Sequence, residues 1–459
     1  MSEHSEAMED FAVREAPQGY LPVVAPAAQD DVPPGYKRTE VGVIPKDWSV
    51  TKLDQLAKFR TGPFGTALHK SDYIEGGVPL INPMHITDGQ LLPDPKTSIS
   101  EEAARRLASY RMRPDDIVIG RRGDMGRCAV VHEDQAGWLC GTGSLIIRCS
   151  DRANSVFIQR ILTTKRVIDA IEDGSVGSTM TNLNQGALSR LQIQLPSLSE
   201  RHAIATALSD VDALIDSLDL LIAKKRAIKQ AAMQQLLTGQ ARLPGFTGDW
   251  ESKRLGDHVM FLKTGANSRA ELSQGAGVAY LHYGDIHGLS APGLGTGIAD
   301  LPRISKNKVS RLDRLQVGDL ILVDASEDLD GVGKSVEIRQ VPAEGIVAGL
   351  HTVAARFNKD VLADGFKGYL QFCPAFSKML KRLAAGTKVL ATNRKHIAEI
   401  EISLPPTDEQ VAIANALSDM DAEIEALERR RDKARQIKQG MMQQLLTGRV
   451  RLVRPEAAL

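Results

Sequence analysis

Leu195-Pro196-Ser197-Leu198-Ser199-Glu200 opens a long helical pattern that closes at Met233-Gln234-Gln235-Leu236-Leu237-Thr238-Gly239. The pattern returns at Leu404-Pro405-Pro406-Thr407-Asp408-Glu409 and closes at Met442-Gln443-Gln444-Leu445-Leu446-Thr447-Gly448. Asp210 and Asp212 map onto Asp419 and Asp421, so the register does not slip. Such a period exceeds the roughly 20–50 residues of a solenoid unit. It marks two similar modules in one chain.

Within the first copy, Ile204, Leu208, Val211, Ile215, Leu218 and Ile222 alternate between spacings of four and three, which is the seam of a coiled coil. The second copy repeats the spacing at Ile413, Leu417, Met420, Ile424 and Leu427. Ser197 or Ser199 can cap the first helix, and Gly239 supplies a left-handed stop. About 38 residues at about 1.5 Å each form a rod of roughly 57 Å, which cannot bury its stripe against itself. The matching seams predict an antiparallel pair with a globular domain at each end, and therefore pseudo-two-fold symmetry.

The segments before each rod have a mixed pattern. Val78-Pro79-Leu80-Ile81, Asp116-Ile117-Val118-Ile119 and Ser144-Leu145-Ile146-Ile147 read as short strands separated by glycine turns, and Val156 to Ile171 reads as one helix. The second half restarts at Asp249-Trp250, echoing Asp47-Trp48, and Phe261-Leu262-Lys263-Thr264-Gly265 answers Phe59-Arg60-Thr61-Gly62. The frameworks agree while the loops differ, which suits two readers of different targets. The expected fold class is α+β. The expected order is a disordered tail at 1–35, globular segment 36–194, rod 195–243, globular segment 244–403, rod 404–452 and a tail at 453–459.

The 459 residues balance 57 basic against 57 acidic side chains. This excludes a polybasic binder but not a local basic groove. Aromatic content of 4% argues against base-stacking platforms for single strands. Cys128, Cys140, Cys149 and Cys373 lack zinc-type spacing and read as buried thiols of a reducing cytoplasm. No apolar run reaches the ~18 residues of a membrane span, and the N-terminus lacks a signal-peptide core.

This arrangement resembles the specificity subunit of type I restriction-modification systems, from Gly35 to Leu452. The resemblance rests on the order of domains, on Trp48 and Trp250 preceding Leu53 and Leu255, and on Leu-Pro followed by Glu200 and Glu409. Its most specific part is the repeated ending Met-Gln-Gln-Leu-Leu-Thr-Gly. It implies a non-catalytic protein in which two target-recognition domains each read half of a split, asymmetric double-stranded DNA site, with coiled-coil spacer helices setting the gap. It also implies modification subunits carrying S-adenosylmethionine, docked on the helices, and restriction subunits using ATP and Mg as translocase and nuclease. No cofactor is expected in this chain. A scaffold whose globular heads bind protein or glycan is the alternative.

Other chemistry finds little support. Gly331-Val332-Gly333-Lys334-Ser335 resembles the end of a phosphate loop, but Asp328 occupies the required first glycine, so a glycine turn is expected. Asn82-Pro83-Met84-His85 resembles a methyltransferase tetrapeptide without its second proline or aromatic, and reads as a strand end. The histidines form no spaced ligand pairs. Candidate DNA contacts are the polar and basic residues of glycine-marked loops. They are Arg60, Thr61, Lys70, Arg121, Arg122, Asn182 and Asn184 in the first domain, and Lys263, Asn267, Arg269, Lys334, Asn393, Arg394 and Lys395 in the second. Arg121-Arg122 is the favoured base reader, because arginine pairs bidentately with guanine. Lys224-Lys225-Arg226 and Arg429-Arg430-Arg431 read as solvated helix faces or as contacts to DNA or partners.

Overall fold

The computed structural model describes residues 32–64, 67–173, 183–289, 291–328, 331–383 and 390–453. Asn182, most of the tail expected at 1–35 and most of that expected at 453–459 lie outside the described residues. The chain divides into two compact α+β units, one of residues 1–212 with 437–459, the other of residues 213–436. Both divisions fall inside the long helices, Leu198–Leu236 and Thr407–Leu445.

In the first unit, strands Cys128–Val130, Asp116–Gly120, Ser144–Cys149 and Ala57–Thr61 form an antiparallel sheet in that order. Strand Tyr73–Ile81 pairs in parallel with Leu139–Cys140 in a second, smaller sheet. The β-branched runs read from the sequence thus become the central strands, all buried. The helix expected over Val156 to Ile171 is two, Arg152–Leu162 and Lys165–Asp173. The Thr163 and Thr164 hydroxyls donate to the carbonyls of Arg160 and Ile161, and such back-bonding competes with helix continuation.

The second unit repeats this framework. Strands Ser335–Ile338, Leu320–Val323, Thr352–Phe357 and Val259–Leu262 keep the same order and antiparallel sense, and a short strand, Gly293–Leu294, extends the edge. Val278–Leu281 pairs in parallel with Ile346–Ala348.

Each long helix starts inside its domain's core. Ile204 and Leu208 belong to the same buried cluster as Phe157, Ile193 and Leu446, and Ile413 and Leu417 to the same cluster as Phe376, Ile402 and Leu237. These four seam positions therefore serve domain cores. Further along, Ile215, Leu218, Ile222 and Ile424 are buried, while Val211, Met420 and Leu427 are half-buried. In the second unit Asp219 faces Arg431 and Arg435 at 3.4 and 3.0 Å, Lys225 faces Glu423 at 2.7 Å, and Arg226 and Lys229 meet Glu428 and Asp421. Partner numbers fall along one helix as they rise along the other, so the helices run antiparallel there. These pairs also account for Lys225, Arg226 and Arg431 of the two basic runs. Ser197 caps the first helix through Glu200 N–H at 3.3 Å. Gly239 and Gly448 end the two helices at φ of 70° and 69°, a backbone that glycine adopts without strain. Among the described residues no helix is long and apolar enough to cross a membrane.

Candidate functional site

In the first unit several strand ends converge on one backbone junction. Arg121 N–H donates to Gly143 O at 2.9 Å, Leu183 N–H donates to Arg121 O at 2.9 Å, and Gly62 N–H donates to Ser144 O at 3.0 Å. Only glycine fits at position 62, where a Cβ would lie 1.9 Å from Gly141 O. Asn184 then caps helix Gln185–Ser189 by accepting from Ala187 N–H. The second unit builds the same junction. Asp324 N–H donates to His351 O at 3.2 Å, Thr392 N–H donates to Asp324 O at 2.7 Å, and Gly265 N–H donates to Ala348 O at 2.9 Å. Asn393 caps helix Arg394–Ala398 through His396 N–H. By these bonds Arg121 corresponds to Asp324, Gly143 to His351, Leu183 to Thr392, and Asn184 to Asn393.

The junction gathers many of the candidate contacts. Thr61 ends its strand beside it, and Arg122 and Asn184 are exposed on it. Arg121 corrects the sequence expectation. It is buried, its Nε donates to Leu183 O at 2.8 Å, and its guanidinium lies 5.0 Å over Phe64. Burial, reinforced by Arg122, pulls its pKa down. Arg121 is thus a clamp for the Leu183 loop, and Arg122 is the exposed member of the pair. Arg60 donates to Ser109 O and lies over Tyr110, and Lys70 is exposed in the turn Lys70–Asp72. In the second unit Arg394 donates to Leu262 O at 2.7 Å, which brings Asn393, Arg394 and Lys395 beside the exposed Lys263. Lys395 lies 3.8 Å from Glu399. Asn267 exchanges backbone bonds with the Tyr280 hydroxyl, and Arg269 pairs with Asp285 at 2.8 Å. Lys334 donates to His287 O at 2.7 Å, and Asp328 accepts Gly331 N–H. The glycine loop is therefore internally satisfied, as a turn and not a phosphate cradle.

The family model described as type I restriction modification DNA specificity domain matches residues 45–225 and again 247–436. The chain belongs to that family. A Methanocaldococcus jannaschii protein, provisionally assigned as the type I restriction enzyme MjaX specificity subunit, is 26% identical over 437 residues, spanning 91% of this chain and 97% of that protein. The type I restriction enzyme EcoKI specificity subunit of Escherichia coli K12 is 22% identical over 413 residues, covering 86% of each. Among solved structures, the type I restriction-modification S subunit from M. genitalium shares the fold, with a TM-score of 0.54, 15% identity, and coverage of 87% of this chain and 96% of that one.

Two features of this specificity-domain chain escape a reading of charge and period. Each domain carries a buried carboxylate gripped by a cross-strand arginine. Arg148 holds Asp116 at 2.7 and 2.6 Å, and Arg356 holds Asp319 at 2.7 and 2.6 Å. The hydrogen bonds to the carboxylates raise the pKa of both arginines. Each domain is also clamped where its long helix leaves. In the first unit the buried Glu200 accepts from Trp48 Nε1 at 2.9 Å and from Arg451, which also holds Asp47 at 3.0 and 2.7 Å. In the second, Arg242 grips the fully buried Glu409 at 2.5 and 2.6 Å and lies 5.8 Å from the Trp250 ring. The signal was present in the repeat, since Trp48 and Trp250 and Glu200 and Glu409 match. The arginines complete it from the far ends of the helices.

Proposed function

We propose that this chain is the DNA-specificity subunit of a type I restriction-modification complex, with each globular domain reading one half of a split, asymmetric site. The observation that carries the reading is one framework built twice, with different side chains at the same junction: Arg121 and Gly143 in one domain, Asp324 and His351 in the other. A fixed scaffold presenting different donors and acceptors is what two different half-sites require, because each base pair shows its own pattern in the major groove. Family membership decides against the protein- or glycan-binding scaffold.

In this reading the chain itself is non-catalytic. The long helices act as an antiparallel coiled-coil spacer that fixes the gap between half-sites, with the pseudo-two-fold arrangement the repeat implies. Tethering both halves raises affinity through effective concentration, and a stiff spacer penalises a wrong gap. Modification subunits bearing S-adenosylmethionine dock on the helices, and ATP- and Mg-dependent restriction subunits join them in the cytoplasm. Arg122, Thr61 and Asn184 in the first domain, and Lys263, Asn393, Arg394 and Lys395 in the second, are the exposed candidates for DNA contact. Most such contacts go to phosphates.

The test is methylome sequencing of a host carrying this chain and its cognate modification subunits, against the same host lacking this chain. One split methylated motif is expected to vanish on deletion, and exchange of residues 36–194 with a related subunit is expected to change one half only. An unchanged methylome, together with no DNA binding by the reconstituted complex, would refute the proposal.

A further inference from the structure

Four of the ten histidines gather around the second domain's junction: His282, His287, His351 and His396. Three of them have structural duties. His282 is buried and caps the turn at Gly284 N–H, His287 gives its carbonyl to Lys334, and His396 bonds Thr392 and Asn393. His351 differs. Its side chain is 51% exposed, and its Nδ1 faces Asp324 Oδ1 at 3.3 Å. The Tyr283 ring braces it edge-on at 5.4 Å.

The backbone at His351 is the second observation. Its φ is 55°, in the left-handed region. The other described non-glycine residues with positive φ are Asp88 and Asp115, of the type that tolerates this region through local hydrogen bonding. Histidine gains no such help, and the matching position in the first domain is Gly143. A side chain held at a position suited to glycine points to function. The surroundings over-determine the position: Asp324 N–H donates to His351 O, Tyr283 N–H donates to Leu350 O, and the Thr352 hydroxyl donates to Gly349 O.

Resting on the reading of this chain as a DNA-specificity subunit, we propose that His351 reads a base edge in the second half-site, with Asp324 as its positioning residue. The carboxylate facing Nδ1 places the proton there, because the partner of one ring nitrogen sets the state of the other. Nε2 is then an acceptor at the exposed edge. Its complement in the major groove is an exocyclic amino group, adenine N6 or cytosine N4. The first domain carries a donor-only arginine at the place of Asp324 and no side chain at the place of His351, so the two domains discriminate differently at one shared position.

The experiment uses the chain reconstituted with its modification subunits, with methylated-motif sequencing and competition between duplexes carrying single base-pair changes. Exchange of residues 36–194 first assigns each half of the motif to a domain. His351→Gly suits the observed φ, and His351→Asn tolerates it. Both are expected to lose roughly tenfold or more discrimination at one base pair of the second domain's half, with the first half intact. Asp324→Ala is expected to behave alike, and Asp324→Asn, which still offers Nδ1 an acceptor, to restore the motif. An unchanged motif in both His351 variants, or uniform weakening on every duplex, would overturn the proposal. Absence of any split motif with the wild-type chain would instead sink the specificity reading itself.

Discussion

Replacing Arg451 by alanine tests whether the first unit is closed by the far end of the second long helix. The Glu200 side chain is 1% exposed and that of Arg451 is 20% exposed. Removing one partner of a buried ion pair costs about 3–5 kcal/mol, because the remaining charge stays buried. The Trp48 indole still donates to Glu200, and the arginine is partly solvated, so the low end applies: about 3 kcal/mol. For a unit of this size that is roughly 6–12 °C in Tm. Hydrogen exchange localises the loss. Amides of Asp116–Gly120 and Ser144–Cys149 are expected to lose protection, while those of Leu320–Val323 and Thr352–Phe357 keep it. A loss below about 0.5 kcal/mol, the level of a surface change, or an equal loss in both units, would refute the reasoning.

The same clamp has a pH signature. Hydrogen bonding to Arg451, opposed by burial, holds the Asp47 carboxyl below its ordinary value. A depressed carboxylate contributes stability that is complete above its unfolded pKa and is lost as pH falls through the folded one. The Tm difference between wild type and Arg451→Ala is therefore expected to be flat above about pH 5 and to shrink below about pH 4. A difference that widens in acid would contradict this assignment.

Arg242→Ala removes the matching grip on Glu409 and is expected to cost about 3 kcal/mol, with the exchange pattern reversed so that the second unit loses protection. Leu417→Ala opens a cavity in a fully buried position of the second core and is expected to cost about 2–5 kcal/mol, measured by denaturant melts and confined to the same unit. The Tyr36 hydroxyl donates to Gly448 O at 2.9 Å, so a chain with its ends joined by a short linker and reopened at the exposed Gly245 is expected to fold and keep its split motif; failure to recover folded protein would contradict the closure described here.

The helices were legible because a 3.5-residue period survives over many turns, and their ends because glycine alone reaches a positive φ cheaply. The central strands were legible as short β-branched runs. The break at Thr163-Thr164 was not, because a hydroxyl bonding back to a carbonyl leaves no mark on apolar spacing. Arg121 was misjudged for a related reason: sequence displays charge but not burial, and its partner Leu183 lies 62 positions away. His351 was passed over as an ordinary surface histidine, since neither its backbone angle nor Asp324 is visible in a spacing pattern. The Glu200 clamp draws on residues 152 and 251 positions away, beyond the reach of any local rule.

The clamps also bear on what repeats in this molecule. In sequence the repeating unit is a domain followed by its helix. In space each domain is completed by the arginine that follows the other domain's helix: Arg451 for the first and Arg242 for the second. A helix that starts in one core and ends at the other's clamp fixes the residue count between them. Inserting or deleting residues within such a helix shifts the far clamp by about 1.5 Å and about 100° per residue, so only near-whole turns leave both cores intact. If the helices set the gap between half-sites, that gap can change only in steps the two clamps tolerate, whereas base preference can change freely in the loops around the junction. Spacing and base choice are thus under separate physical control, one in helix length and the other in side chains such as His351 and Arg122.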